Sequence, residues 1–287
     1  MIFDTHAHYD DEAFAADREE LLASLPGQGI GRVINCGADI ASSRRSVELA
    51  DKYDLLYAAV GVHPDNAGEI VVCDTPVNDP GDSGEIKAHS PAECSRNLAE
   101  LREMAASARV VAIGEIGLDY HWDVYPREVQ KEAFIKQWEL AVELGLPIEI
   151  HSRDAAEDTM SIVREMYSRE KQAGRELRAD LHCYSYSPEQ AAEYAKMGLY
   201  FGIGGVLTFK NAKKLREVAG IVPIEQLLLE TDCPYLAPEP HRGSRNNSGY
   251  LHSVVAEIAR IKGLTGAEVE DITYANARRF FGLQRKD

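Results

Sequence analysis

The chain of 287 residues is short of cysteine, of basic charge and of long apolar runs. Its five cysteines, Cys36, Cys73, Cys94, Cys183 and Cys233, are odd in number and include no CxxC pair. That pattern argues against a disulfide framework or a thiolate zinc site, and it predicts a reducing compartment, the cytoplasm. No segment approaches the roughly 20 consecutive apolar residues that cross a bilayer. The first residues carry neither the basic nor the apolar stretch of a secretory signal, so no membrane partner is expected. Lys and Arg number 31 against 47 Asp and Glu, a net charge of −16. Broad nucleic-acid adhesion rests on cations that neutralise phosphates. A phosphate-bearing substrate would therefore need a local basic pocket, and sliding along a duplex is not expected.

What the chain does have is alternation. Apolar runs suited to strands lie at Ile2–Thr5, Arg32–Cys36, Leu55–Val62, Val110–Gly114, Pro147–Ile150, Ala179–His182, Leu199–Ile203 and Leu227–Thr231. Helical patterns fall between them: in Gln130–Leu144, for example, Phe134, Trp138, Leu140 and Ala141 recur at helical spacing. Pro188 begins another helix, and Gly198 follows its end. Eight such β–α units predict a single-domain (β/α)₈ barrel over residues 1–287, with a doubly wound open sheet as the alternative. Leu251–Lys262 and Ala267–Phe281 would be helix 8 and an extra C-terminal helix. Asp65–Ser95 reads as a long irregular loop, with seven acidic residues against the single Lys87. Loops of that length are usually functional or disordered, so it is either a lid or a solvated insertion.

The chemistry gathers where the strands end. Phe3-Asp4-Thr5-His6-Ala7-His8 puts two imidazoles two residues apart on the opening strand, where alternate side chains share a face. Later strands deliver His63, Glu115, His151, His182 and Asp232. In a parallel barrel all such ends meet on the face that carries active sites. A lone strand-end His is usually just a hydrogen-bonded polar residue, but so many on one face point to a metal site. Four His (6, 8, 151, 182) with Glu115 and Asp232 exceed the four ligands of one tetrahedral zinc. They suit two divalent ions sharing a carboxylate, with nitrogen–oxygen donors matching Zn, Mn, Fe or, less comfortably, Mg. Paired ions are hydrolytic machinery, and phosphodiesters gain most from them.

These segments, together with Gly61-Val62-His63-Pro64, Ala112–Tyr120, Ile150-His151-Ser152-Arg153, Leu181-His182-Cys183, Glu230–Leu236 and Pro240-His241-Arg242-Gly243, resemble the TatD family of metal-dependent hydrolases along the whole chain. The resemblance implies a TIM barrel and divalent-metal-dependent 3′→5′ exonuclease cleavage of DNA, while other relatives act on other phosphodiesters or esters. It also implies that His6, His8 and Asp232 hold one metal and that His151 and His182 hold the other. Glu115 would bridge them, Asp232 would act as general base, and His63 would stand beside the site or on the substrate phosphate. Two departures from the family's pattern, Cys183-Tyr184-Ser185-Tyr186 and Ser244-Arg245-Asn246, fall in expected substrate loops.

Arg153 and Arg242 are the expected substrate anchors, because a guanidinium grips phosphate bidentately. Lys210, Lys213 and Lys214 would extend a phosphate track or form a solvated helix face. Asp119 would orient a metal-binding His, and Tyr120, His121 and Trp122 would stack on a base or pack within their loop. DNA is thus the favoured substrate. Hydrolysis of another ester or amide, such as an aminoacyl-tRNA, is the alternative on the same site, and a non-catalytic barrel is the reading least compatible with the ligand set.

Overall fold

The computed structural model describes residues 1–73 and 89–283. Eight parallel strands form a closed barrel in chain order: β1 (Ile2–Ala7), β2 (Ile30–Cys36), β3 (Leu56–Val60), β4 (Val110–Asp119), β5 (Ile148–Arg153), β6 (Ala179–Leu181), β7 (Tyr200–Ile203) and β8 (Leu227–Leu229). β1 pairs with both β2 and β8, which removes the open-sheet alternative. The described helices are α1 (Arg18–Ser24), α2 (Ile40–Lys52), α3 (Pro91–Met104), α4 (Arg127–Leu144), α5 (Ala156–Gln172), α6 (Pro188–Lys196), α7 (Lys213–Ile221), α8 (Leu251–Lys262) and α9 (Gly266–Phe281). No described helix is long and apolar enough to cross a membrane.

Contacts divide the chain into two compact units. One comprises Met1–Asn35, Glu48–Tyr57 and Asp180–Asp287; the other comprises Cys36–Val47 and Ala58–Ala179. In the first, Phe3 of β1 packs against Tyr274 and Phe281 of α9, with ring centroids 5.6 and 5.8 Å apart. A Thr265–Glu268 capping box starts α9, and left-handed Gly282 ends it.

In the second unit, buried α4 carries two glutamines that serve as clamps. Gln137 accepts from the Val62 N–H at 2.7 Å and donates to the Val62 carbonyl at 2.9 Å. One heptad earlier, Gln130 does the same to Asp119, at 2.9 and 3.0 Å. Each clamp satisfies one buried residue's backbone N–H and C=O, at Val62, just before His63, and at Asp119. Burial without such partners would leave those groups costing about 1–3 kcal/mol each.

Two expectations need correction. β4 does not stop at Gly114 but runs on to Asp119, pairing Ile116 with Ile150 and Gly117 with His151. Gly117 is what allows the pairing, because a Cβ there would lie 1.9 Å from the His151 carbonyl oxygen. The segment 65–95 is also less irregular than expected. A 3-10 turn spans Pro64–Glu69, and α3 starts at Pro91 with a Ser90–Glu93 capping box. Residues 74–88, including Asp74, Asp79, Asp82, Glu85 and Lys87, lie outside the described residues, and with them most of the segment read as a lid or insertion.

Candidate metal centre

The first unit holds one cluster. His6 sits on β1 and His8 just past its end, and their Nε2 atoms lie 3.2 Å apart. Asp232 follows β8, with Oδ1 3.4 Å from His8 Nε2 and 4.0 Å from His182 Nε2. His6 and His182 stack with centroids 3.6 Å apart. Asp232 adopts a left-handed conformation (φ 54°), which Asp tolerates better than most residues, and its N–H donates to the His6 carbonyl at 2.9 Å. Burial works to raise its carboxyl pKa. The His8 hydrogen bond and the charges of His182, His8 and His6 outweigh burial and hold it below the usual range.

Beneath these residues lies a polar network that sequence reading missed. The fully buried Asp4 carboxylate accepts from the His6 N–H (3.3 Å), the Thr231 N–H (3.0 Å), Thr231 Oγ1 (2.7 Å) and Ser248 Oγ (2.6 Å). One side chain thus anchors both the end of β1 that carries His6 and the residue before Asp232. Asn246 adds two bonds to the same segment, donating to the Thr231 and Tyr235 carbonyls at 2.9 and 2.8 Å.

His182, one residue past β6, is oriented by a second missed carboxylate. Fully buried Glu230 lies 3.2 Å from His182 Nδ1, and its other oxygen accepts the Cys183 N–H at 2.6 Å. With its Nδ1–H donating to Glu230, His182 would present Nε2 as a lone-pair donor. Room for Glu230 comes from Gly202, where a Cβ would stand 2.0 Å from Oε2. The available signal was a carboxylate directly after the apolar Leu227–Leu229 strand, where burial needs a partner.

The second unit holds the other cluster. His151 on β5 is 2.7 Å from Glu115 Oε1 through Nδ1 and 3.1 Å from Asp119 Oδ2 through Nε2. Burial works against its protonation, but the hydrogen bonds to Asp119 and Glu115 and their charges carry the imidazole pKa up to about 9. Asp119 responds in the opposite sense. Although burial raises it, the His151 bond and the N–H groups of Trp122 and His121 bring it down to about 2. His63 caps the 3-10 turn after β3. Its Nδ1 accepts the Asp65 N–H at 3.1 Å, which leaves the neutral ring's proton on Nε2, and its centroid is 4.3 Å from that of His151. Asp65, read only as part of an acidic loop, belongs beside this cluster. Burial and then the Asp119 charge push its carboxyl up to about 6.

Each donor set fits a divalent cation. His6, His8 and Asp232 offer ligand atoms within 4.8 Å of one another, as do His63, Asp119 and His151, and as do His182, Cys183 and Asp232. The sets are dominated by imidazole nitrogen and carboxylate oxygen.

The two arginines find different settings. Arg153, the last residue of β5, holds its guanidinium 5.6 Å from the Trp122 ring. Arg242 lies in the loop before α8, 4.3 Å over the Phe209 ring. Arg245, at one departure from the family pattern, grips Asp17 with two bonds of 2.7 and 2.6 Å, which ties it to the loop after β1. Lys213 opens α7, and Lys210 precedes it.

The TatD-related DNase family model matches residues 3–282. The chain belongs to that family. It is 40% identical over 283 residues to the uncharacterized metal-dependent hydrolase YabD of Bacillus subtilis, covering 99% of this chain and 100% of YabD. It is 32% identical to the 3′-5′ ssDNA/RNA exonuclease TatD of Cronobacter sakazakii, covering 98% and 97%. The solved structure of YjjV, a TatD homologue from Escherichia coli K12, superposes with a TM-score of 0.82 at 28% identity, covering 99% and 98%. The chain is therefore a metal-dependent hydrolase of the TatD family, built on a (β/α)₈ barrel.

Proposed function

We propose that this TatD-family hydrolase is a 3′→5′ exonuclease on single-stranded DNA, using two divalent ions and working in the cytoplasm as one catalytic domain. What supports the proposal is a His6–His8–Asp232 cluster in one unit and a Glu115–His151 cluster in the other, each set on or just past barrel strands. The Cronobacter relative's name supports the choice of substrate. His6, His8 and Asp232 would hold one ion, His151 and His182 the other, with Glu115 shared. When bound, such a pair lowers the pKa of water and neutralises phosphate charge.

The chain's own residues do the rest. Asp232, held ionised below the usual carboxylate range, accepts the proton of the attacking water. Asp119 and Glu230 keep His151 and His182 in fixed orientations. His63 offers Nε2–H to a phosphate oxygen, while Arg153 and Arg242 grip the phosphates.

The test compares 3′- and 5′-labelled single-stranded DNA with aminoacyl-tRNA at matched metal and salt. Stepwise mononucleotide release from the 3′ end, only with divalent metal, is expected. Cleavage of the aminoacyl ester alone would overturn the nuclease assignment and leave the metal hydrolase standing.

A further inference from the structure

Trp122 is 45% exposed, whereas the chain's other tryptophan, Trp138, is fully buried. A single exposed apolar side chain is ordinary, but this one is held in place. Asp119 divides its carboxylate between two tasks. Oδ2 meets His151 Nε2 at 3.1 Å, while Oδ1 accepts the N–H groups of His121 at 2.8 Å and Trp122 at 3.1 Å. The turn that carries the indole therefore hangs from the same side chain that orients a proposed metal ligand. The neighbouring strand end supplies a cation, since the Tyr120 N–H donates to the Arg153 carbonyl at 2.9 Å and the Arg153 guanidinium stands 5.6 Å from the indole ring. His121 buttresses the indole edge-on at 4.9 Å and is itself tied to Asp154 at 3.1 Å.

An open aromatic face beside a guanidinium, both set from β4 and β5, matches one nucleotide of a single strand, with the base on the ring and the phosphate on the cation. We propose that Trp122 and Arg153 form a nucleobase-stacking subsite for single-stranded substrate. This subsite deepens the nucleic-acid reading above and rests on it. Stacking tolerates any base, so the subsite selects for the presence of a base over its identity.

Because Trp138 is buried, quenching by added ligand reports on Trp122. The probes are a phosphorothioate-linked oligothymidylate, which resists cleavage, and an abasic oligomer of equal length, each titrated into metal-loaded protein. The oligothymidylate is expected to quench saturably and bind roughly tenfold or more tighter than the abasic oligomer. Trp122→Leu should erase that preference, measured by anisotropy of labelled oligomer, and Trp122→Tyr should retain most of it. Equal affinity for the two oligomers, or a preference that persists in Trp122→Leu, would overturn the subsite. Binding with quenching but no hydrolysis of ordinary DNA would support the subsite while defeating the exonuclease reading. Hydrolysis without base preference would do the reverse.

Discussion

Glu230 reaches His182 at Nδ1, 3.2 Å away, and through that contact leaves Nε2 as the imidazole nitrogen that would bind a metal. Replacing it with Gln offers the ring an amide that cannot accept a proton's worth of charge. Glu230→Gln should weaken metal affinity about 10–100-fold, the usual cost of losing a carboxylate behind a metal-binding His. Competition with a chelator of known affinity is the measurement. Unchanged affinity would show that the ring is oriented by other contacts.

Sharing of Glu115 predicts a different pattern from loss of the base. Glu115→Ala should lose both ions or most activity, because a bridging carboxylate serves two. Asp232→Asn should keep most of its metal and lose most of its rate. Elemental analysis beside turnover separates the two, and wild-type metal content with full turnover in Glu115→Ala would remove Glu115 from the site.

Arg153 and Arg242 should each contribute about 1–3 kcal/mol to DNA binding, the range of charge-assisted hydrogen bonds. Alanine variants are expected to weaken binding by that amount at low salt and by less at high salt, where screening already weakens the contacts. A salt-independent deficit would point instead to lost packing, for Arg242 against Phe209.

Removal of metal should lower thermal stability as well as activity, since an ion that binds only the native state stabilises it by mass action. At a free ion concentration 100 times the dissociation constant, the gain is about 2.7 kcal/mol. Melting curves recorded with chelator and then with re-added Mn²⁺ or Zn²⁺ test this.

Away from the site, the side chain of Glu170 is 1% exposed and paired with Arg175 and Arg169, whose hydrogen bonds and charges lower its pKa against the opposing effect of burial. A lowered folded value means that its stabilisation is present above the ordinary 4.5 and is lost as pH falls through the folded value. Glu170→Gln should therefore melt below wild type at neutral pH, with the gap closing under acid. A gap that stays constant with pH would mean that packing, not charge, is responsible.

Much of this architecture was legible in the chain because its signals are local. The eight strands announced themselves as apolar runs, and His6, His8 and His151 stood at their ends. Positions that depend on distant partners were not legible. Glu230 and Asp4 look like ordinary acidic residues until Gly202 opens space for one and Thr231 and Ser248 close around the other. The run of β4 beyond Gly114 was hidden for the same reason, since the role of Gly117 is set by the His151 carbonyl on the next strand.

The Asp4 network also has a consequence for timing. Its bonds to Thr231 and Ser248 span 227 and 244 residues of sequence, so no local segment can pre-form it. On the ribosome, His6 and His8 emerge first, yet Asp232 follows only after more than about 220 residues and Ser248, which completes the Asp4 anchor, after about 240. The nascent chain thus carries the His6–His8 pair long before it carries the rest of the proposed ligand set. If His6, His8 and Asp232 hold an ion as proposed, that site can form only after the chain has been made through Ser248.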